Sequence, residues 1–172
     1  AIAAPGVSIT GNGTGTLVLS GSAHAINRAL EGLAYTPAPN YNGPVTLTVE
    51  TSDGALLDTR TVAIDVLPVN DLPQAADDVV AALEDQPVTI APATLLGNDV
   101  DVDGPLVVIA VGGAVNGTVA IVGGNIVFTP APDFNGVAGF SYTVSDGNGG
   151  TDTAFVTVNV APQQEPPVAG AD

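Results

Sequence analysis

The stretch GNDVDVDG, residues 97–104, sets Asp99, Asp101 and Asp103 on alternate positions between Asn98 and Gly104. Two like charges 4 Å apart repel by about 4 kcal/mol at the effective dielectric of a protein surface. Three carboxylates so close together call for a cation. Ca²⁺ takes roughly six to eight oxygen ligands at about 2.3–2.6 Å, and an Asp-x-Asp-x-Asp-Gly run offers oxygens along one side of a loop that the glycine lets bend sharply. The same spacing opens an EF-hand loop. Here, however, the position of the closing bidentate glutamate holds Ala110, and no helical pattern flanks the run. The missing ligands must therefore come from elsewhere, and Asn70 and Asp71 of LPVNDLP (67–73) and Asp146 of SDG (145–147) are the natural suppliers. Mg²⁺ sheds its water reluctantly and rarely sits in all-protein cages. Zn²⁺ prefers His and Cys, and the chain has one His and no Cys.

The elements that must position these residues are strands. Gly (21) and Pro (14) are abundant and argue against long helices, while the apolar residues fall in short alternating runs. The chain repeats itself at a spacing of 93 residues. AYTPAPNYNG (34–43) matches VFTPAPDFNG (127–136), and SDG (52–54) matches SDG (145–147). With one residue inserted, DTRTVAIDVLP (58–68) matches DTAFVTVNVAP (152–162). A period this long suits tandem sandwich modules rather than a solenoid. We expect modules over 1–69 and 70–166, with 167–172 opening a further repeat or linker, since PVAGAD (167–172) echoes PQAADD (73–78).

Period-2 alternation predicts seven strands in the second module, at 75–83, 87–91, 105–112, 117–122, 125–129, 137–145 and 151–160. In the first it predicts strands near 7–10 and 16–20, at Ala34, and over 44–52 and 59–66. A short helix capped by Ser22 is predicted within 22–33. The fold class is all-β: two tandem immunoglobulin- or cadherin-like antiparallel sandwiches, the first carrying the helix and an atypical N-terminal part.

Consecutive strands alternate direction, so the loops holding Asp99–Asp103 and Asp146 fall at the end of the second module where the Asn70–Asp71 linker enters. Asp53, Glu84, Asp85 and Glu165 are weaker candidate ligands. Glu84 and Asp85 lie at the opposite end, and Gln164-Glu165 replaces Asn70-Asp71 in the following linker. Taken singly, Asp53, Asp58, Asp133 and Asp152 read as turn or surface acids. His24 reads as a helix-surface residue, and Arg28 and Arg60 as local charge partners.

Charge narrows the function. Eighteen acids against two arginines give a net charge of −16, which disfavours nucleic acid and anionic membrane surfaces and favours a cation. Without Cys or Lys, neither disulfides nor lysine isopeptide crosslinks can brace the modules. No run of about 20 apolar residues suggests membrane insertion. Carboxylate-only glycoside hydrolysis needs a cleft between two acids, which a small sandwich does not offer, so no enzyme is expected.

The run NDLPQAADD, EDQPVTI, LLGNDVDVDG, FTPAPDFNG and FSYTVSDGNGGTDTAFVTVNV resembles the cadherin-like tandem repeats of large bacterial RTX-type surface adhesins. INRALEGLAYTP in the first module resembles a variant of them. The resemblance implies a secreted, cell-surface extender stiffened by calcium, with roles in attachment and biofilm formation and neighbouring repeats as its partners. It also implies that Asn70 and Asp71 are linker ligands, Asp99 to Asp103 loop ligands and Glu84 a ligand at the module base. The alternative is a carbohydrate- or protein-binding module of a secreted multidomain protein, with a glycan or cell-surface ligand as partner. Sugar platforms favour exposed aromatic rings, and only Phe and Tyr are available here.

Overall fold

A computed structural model describes residues 5, 7–11 and 13–164. The chain divides into two compact units, Ala1–Pro68 and Val69–Asp172.

In the first unit, β1 (Val7–Thr10) and β2 (Val18–Gly21) form an antiparallel pair. Helix α1 (Ala23–Leu30) follows, with Ser22 capping it by accepting the Ala25 amide at 3.3 Å. Its small residues Ala25 and Ala29 are buried. The chain then runs without regular structure to β3 (Gly43–Ser52), which pairs antiparallel with β4 (Leu57–Val66). Ala34 is not in a strand. Its counterpart Val127 lies in a strand because it pairs with Ala120 on one side and Thr89 on the other, whereas among the described residues no strand pairs with Ala34.

The second unit is a two-sheet sandwich. Its strands are β5 (Asp78–Leu83), β6 (Val88–Ile90), β7 (Val107–Val115), β8 (Gly117–Val122), β9 (Asn125–Pro130), β10 (Gly136–Ser145) and β11 (Thr151–Ala161). One sheet runs β5-β11-β10-β7 and the other β6-β9-β8. The β5–β11 pairing is parallel and the other pairings are antiparallel. A short helix, α2 (Pro92–Leu95), interrupts the path from β6 to β7, with Pro92 in its first turn and Leu95 buried. Period-2 alternation does not reveal such a single turn, and it cuts the predicted second strand to three residues.

The core lies where the sheets face each other. Phe140, Tyr142 and Val144 of β10 and Val156 and Val158 of β11 are fully buried, against Ile126 and Phe128 of the other sheet. The Phe128 and Phe140 rings stack with centroids 5.7 Å apart. Ser141, Thr143 and Ser145 take the outer face, as strand periodicity requires. Between β8 and β9, Gly123 and Gly124 both adopt positive φ (57° and 82°), the geometry of a two-residue hairpin turn that matches strand twist.

Candidate functional site

The segment ahead of β5 and the loop ahead of β7 run side by side in opposite directions. Gln74 and Val100 exchange backbone hydrogen bonds at 2.9 and 3.0 Å, forming an isolated antiparallel bridge. The acids work on either side of it. Asp99 Oδ1 accepts the Ala76 amide at 2.8 Å, and Asp103 Oδ2 accepts the Asp71 amide at 2.6 Å. Asn98 donates to the Ala76 and Asp77 carbonyls at 3.3 and 3.1 Å. Asn98, Asp99 and Asp103 thus all reach the neighbouring segment, and because the loop bends over 102–104 strict strand alternation does not decide which side chains do so.

Asp101 turns inward on its own loop. Its Oδ1 accepts the Asp103 and Gly104 amides at 2.7 and 3.2 Å, closing the bend. Its Oδ2 is enclosed and has no hydrogen-bond partner. Asp146 stands in the β10–β11 loop. Its Oδ1 accepts the Asn148 and Gly150 amides at 2.7 and 2.9 Å, while Oδ2 accepts the Asn70 side-chain amide at 2.7 Å. The Asn70 bond, followed by these backbone amides, holds the Asp146 carboxyl below the usual carboxylate range. Asn70, Asp71, Asp99, Asp101, Asp103 and Asp146 thus share one end of the second unit. Among the described residues, no three His, Cys, Asp or Glu side chains already stand close enough together to hold a metal ion.

The remaining candidates lie apart. Glu84 and Asp85 are at the far end of the sandwich. Glu84 is only 7 % exposed and takes the Gln163 amide at 2.6 Å and the Asn135 side-chain amide at 3.0 Å. Asp85 accepts the Asp133 amide at 3.0 Å. Asp53 belongs to the first unit, where it closes the β3–β4 turn by accepting the Ala55 and Leu56 amides at 2.9 and 2.8 Å. Those bonds, Leu56 first, lower its pKa. Glu165 lies outside the described residues.

Sequence reasoning passed over a second layer beneath the loops. The buried Tyr142 hydroxyl donates toward Asp99 (3.0 Å to Oδ1) and lies 3.1 Å from the Ala76 carbonyl. Burial, then the neighbouring carboxylates of Asp78 and Asp99, pushes the phenol far above its ordinary range. Asp78 Oδ2 is enclosed and unpartnered. Its pKa is raised by burial and by Asp99 and Asp77, against the opposing pull of Tyr142. Asp152, read as an ordinary surface acid, accepts the Ala75 amide at 2.8 Å and the Thr153 amide at 2.8 Å, and these bonds lower its pKa. The available signal was the acidic pair Asp77-Asp78 inside PQAADD; its partners are distant in sequence and leave no local pattern.

The end of the sandwich can do two things chemically: accept backbone donors from the incoming segment and present carboxylate oxygens to a hard cation. It offers no His, Cys, Lys or Arg for acid–base or nucleophilic chemistry, since the second unit contains none of them. Among the described residues, no helix is long and apolar enough to cross a membrane.

No curated protein matches the chain. Solved structures with a similar trace include three endo-fucoidan hydrolase chains of glycoside hydrolase family 107. For MfFcnA4 the identity is 20 %, the TM-score 0.34, and the match covers 94 % of this chain and 23 % of that one. For a single-residue variant of MfFcnA4 the identity is 17 %, the TM-score 0.36, and the cover 92 % and 22 %. For MfFcnA9 the identity is 16 %, the TM-score 0.36, and the cover 91 % and 26 %. The chain thus spans about a quarter of the length of these enzymes. Residues 70–159 match the bacterial Ig domain family, which fits the two-sheet sandwich that those residues build. With just over half its length matched, the chain belongs to that family.

Proposed function

We propose that this chain is a non-catalytic spacer of a secreted bacterial surface adhesin, stiffened by Ca²⁺ bound where the linker meets the second unit. The supporting observation is Asp101 Oδ2, a carboxylate oxygen enclosed without a donor among Asp-rich loops. An unpartnered buried carboxylate oxygen is costly, and a hard, oxygen-seeking cation would relieve it. The donor set fits such an ion, being all oxygen: carboxylates of Asp71, Asp99, Asp101, Asp103 and Asp146 and the side-chain carbonyl of Asn70. Bound there, Ca²⁺ would neutralise the repulsion among these acids and tie Asn70 and Asp71 to the two loops. The linker would then hold a fixed course into the sandwich, and a string of modules would act as a rod that projects a distal adhesive domain.

Calcium titration by calorimetry into chelator-stripped protein tests this directly. Saturable binding is expected, with a rise in melting temperature equivalent to about 2.7 kcal/mol at a hundredfold excess over Kd. Solution scattering should show a stiffer particle with Ca²⁺ than with chelator. Asp101→Asn should weaken binding at least tenfold, whereas Asp133→Asn, at the opposite end, should leave it unchanged. Absence of binding heat, or equal effects of the two substitutions, would refute the assignment.

A further inference from the structure

Among the described residues, Glu84 is the most deeply buried charged side chain, at the end of the sandwich opposite the acidic loops. Burying a carboxylate is costly unless it is paired and hydrogen-bonded, and the second unit has no Lys, Arg or His to pair it. Its partners are N–H groups from two other segments: Oε1 accepts the Gln163 amide at 2.6 Å and Oε2 the Asn135 side-chain amide at 3.0 Å. The place in the fold explains the first of these bonds. The parallel β5–β11 ladder ends at Leu83↔Ala161, and the Glu84 amide donates to the Ala161 carbonyl at 3.0 Å. There β5 turns aside, with Asp85 at φ 59° and the Gln86 amide returning to the Leu83 carbonyl at 3.4 Å. Beyond β11 comes Pro162, which has no amide to donate, so Gln163 offers the next one. The Glu84 carboxylate takes that amide in place of a strand carbonyl, and a charged acceptor makes the stronger bond. The Gln163 side chain adds a second tie, its Oε1 accepting from Gln86 Nε2 at 2.9 Å.

We infer that Glu84 is the positioning residue for the departing chain. Its carboxylate clasps Gln163 to the base of the sandwich and Asn135 braces the carboxylate, so residues 161–163 keep a fixed course by hydrogen bonds alone. A cation at Glu84 would have to displace these N–H donors. The two linkers are then held from opposite sides. In the first, Asn70 and Asp71 bond to the unit they lead into, through Asp146 and Asp103. In the second, Gln163 bonds to the unit behind it. The internal repeat sets Val69 at the position of Gln163, and Val69 is 81 % exposed, with a side chain that cannot make the tie to Gln86. The clasp stands apart from calcium at the loop end: a chain that bound no metal there would still carry it.

Amide exchange followed residue by residue by NMR in the 172-residue chain tests the inference. The Gln163 amide should exchange about tenfold more slowly than in an unstructured peptide, and equally in Ca²⁺ and in chelator. Glu84→Ala should abolish that protection. Glu84→Gln should keep most of it, because the new carbonyl can accept Gln163 while the Asn135 amide turns its oxygen toward the new NH₂ group. Gln163→Pro covers the case in which Glu84→Ala does not fold. It removes the donated amide at the exposed exit and leaves the buried residues in place, and the Glu84 amide, bonded to Ala161, should then exchange several-fold faster. An unprotected Gln163 amide in chelator would overturn the inference, as would protection that survives Glu84→Ala or a Glu84 amide indifferent to Gln163→Pro. Protection that appears with Ca²⁺ alone and is lost in Glu84→Gln would make Glu84 a metal ligand and overturn it too. Loss of calorimetric Ca²⁺ binding with the Gln163 pattern intact would refute the loop-end site and uphold the clasp.

Discussion

Tyr142 is the residue on which the loop end of the sandwich rests. Its ring fills the core and its hydroxyl reaches Asp99 and the Ala76 carbonyl, so one side chain joins packing to the acidic loops. Tyr142→Phe keeps the ring and removes the hydroxyl. The loss of a hydrogen bond to a charged acceptor should cost about 1.5–3 kcal/mol, measured by urea unfolding in chelator. Asp152 supplies the pH dependence. Its pKa is depressed in the folded state by the Ala75 and Thr153 amides, so its contribution is fully present above the unfolded value of about 3.9 and is lost as pH falls through the folded value. Acid unfolding of the metal-free chain should steepen below about pH 4, and Asp152→Asn should flatten that limb. Asp78 carries the opposite sign. Its folded pKa is raised, so ionising it on the way to neutral pH weakens the fold, and Asp78→Asn in chelator at pH 7 should raise the melting temperature.

Among the elements, alternation located β8–β11 to within a residue because each has one face in the core and one outside. It was blind to α2, whose single turn is too short for a helical period, and to the late start of β5. Residues 75–77 read as strand, yet there the chain is held by Asp152 and Asp99, just after the Gln74–Val100 bridge, rather than by a sheet ladder. The side of the sandwich on which each acid falls follows from counting strands. That Asp78 lies near Tyr142 and Val156 does not, because the parallel β5–β11 pairing joins residues almost eighty positions apart. Close approach also hides in small residues. A methyl group on Gly150 would collide with the Asp146 carboxylate and come within 2.8 Å of Pro73 Cδ. Gly150→Ala should therefore displace the carboxylate from Asn70, seen as faster hydrogen exchange across residues 70–76 while the β10–β11 core remains protected.

For the molecule as a whole, charge and strand order matter most. The second unit bears thirteen acids and no Lys, Arg or His, so without metal its folded state works against its own field. Sodium chloride should raise its melting temperature in chelator, and do so less once Ca²⁺ is present. The parallel pairing of β5 with β11 bears on force. The chain enters the sandwich through β5 and leaves through β11, and the two lie side by side from Asp78↔Val156 to Leu83↔Ala161. A pull on both ends slides these strands past one another, so their evenly spaced hydrogen bonds share the load and rupture together instead of peeling one at a time. A tether assembled from such units would hold its length under drag until a sharp threshold, then yield one module at a time.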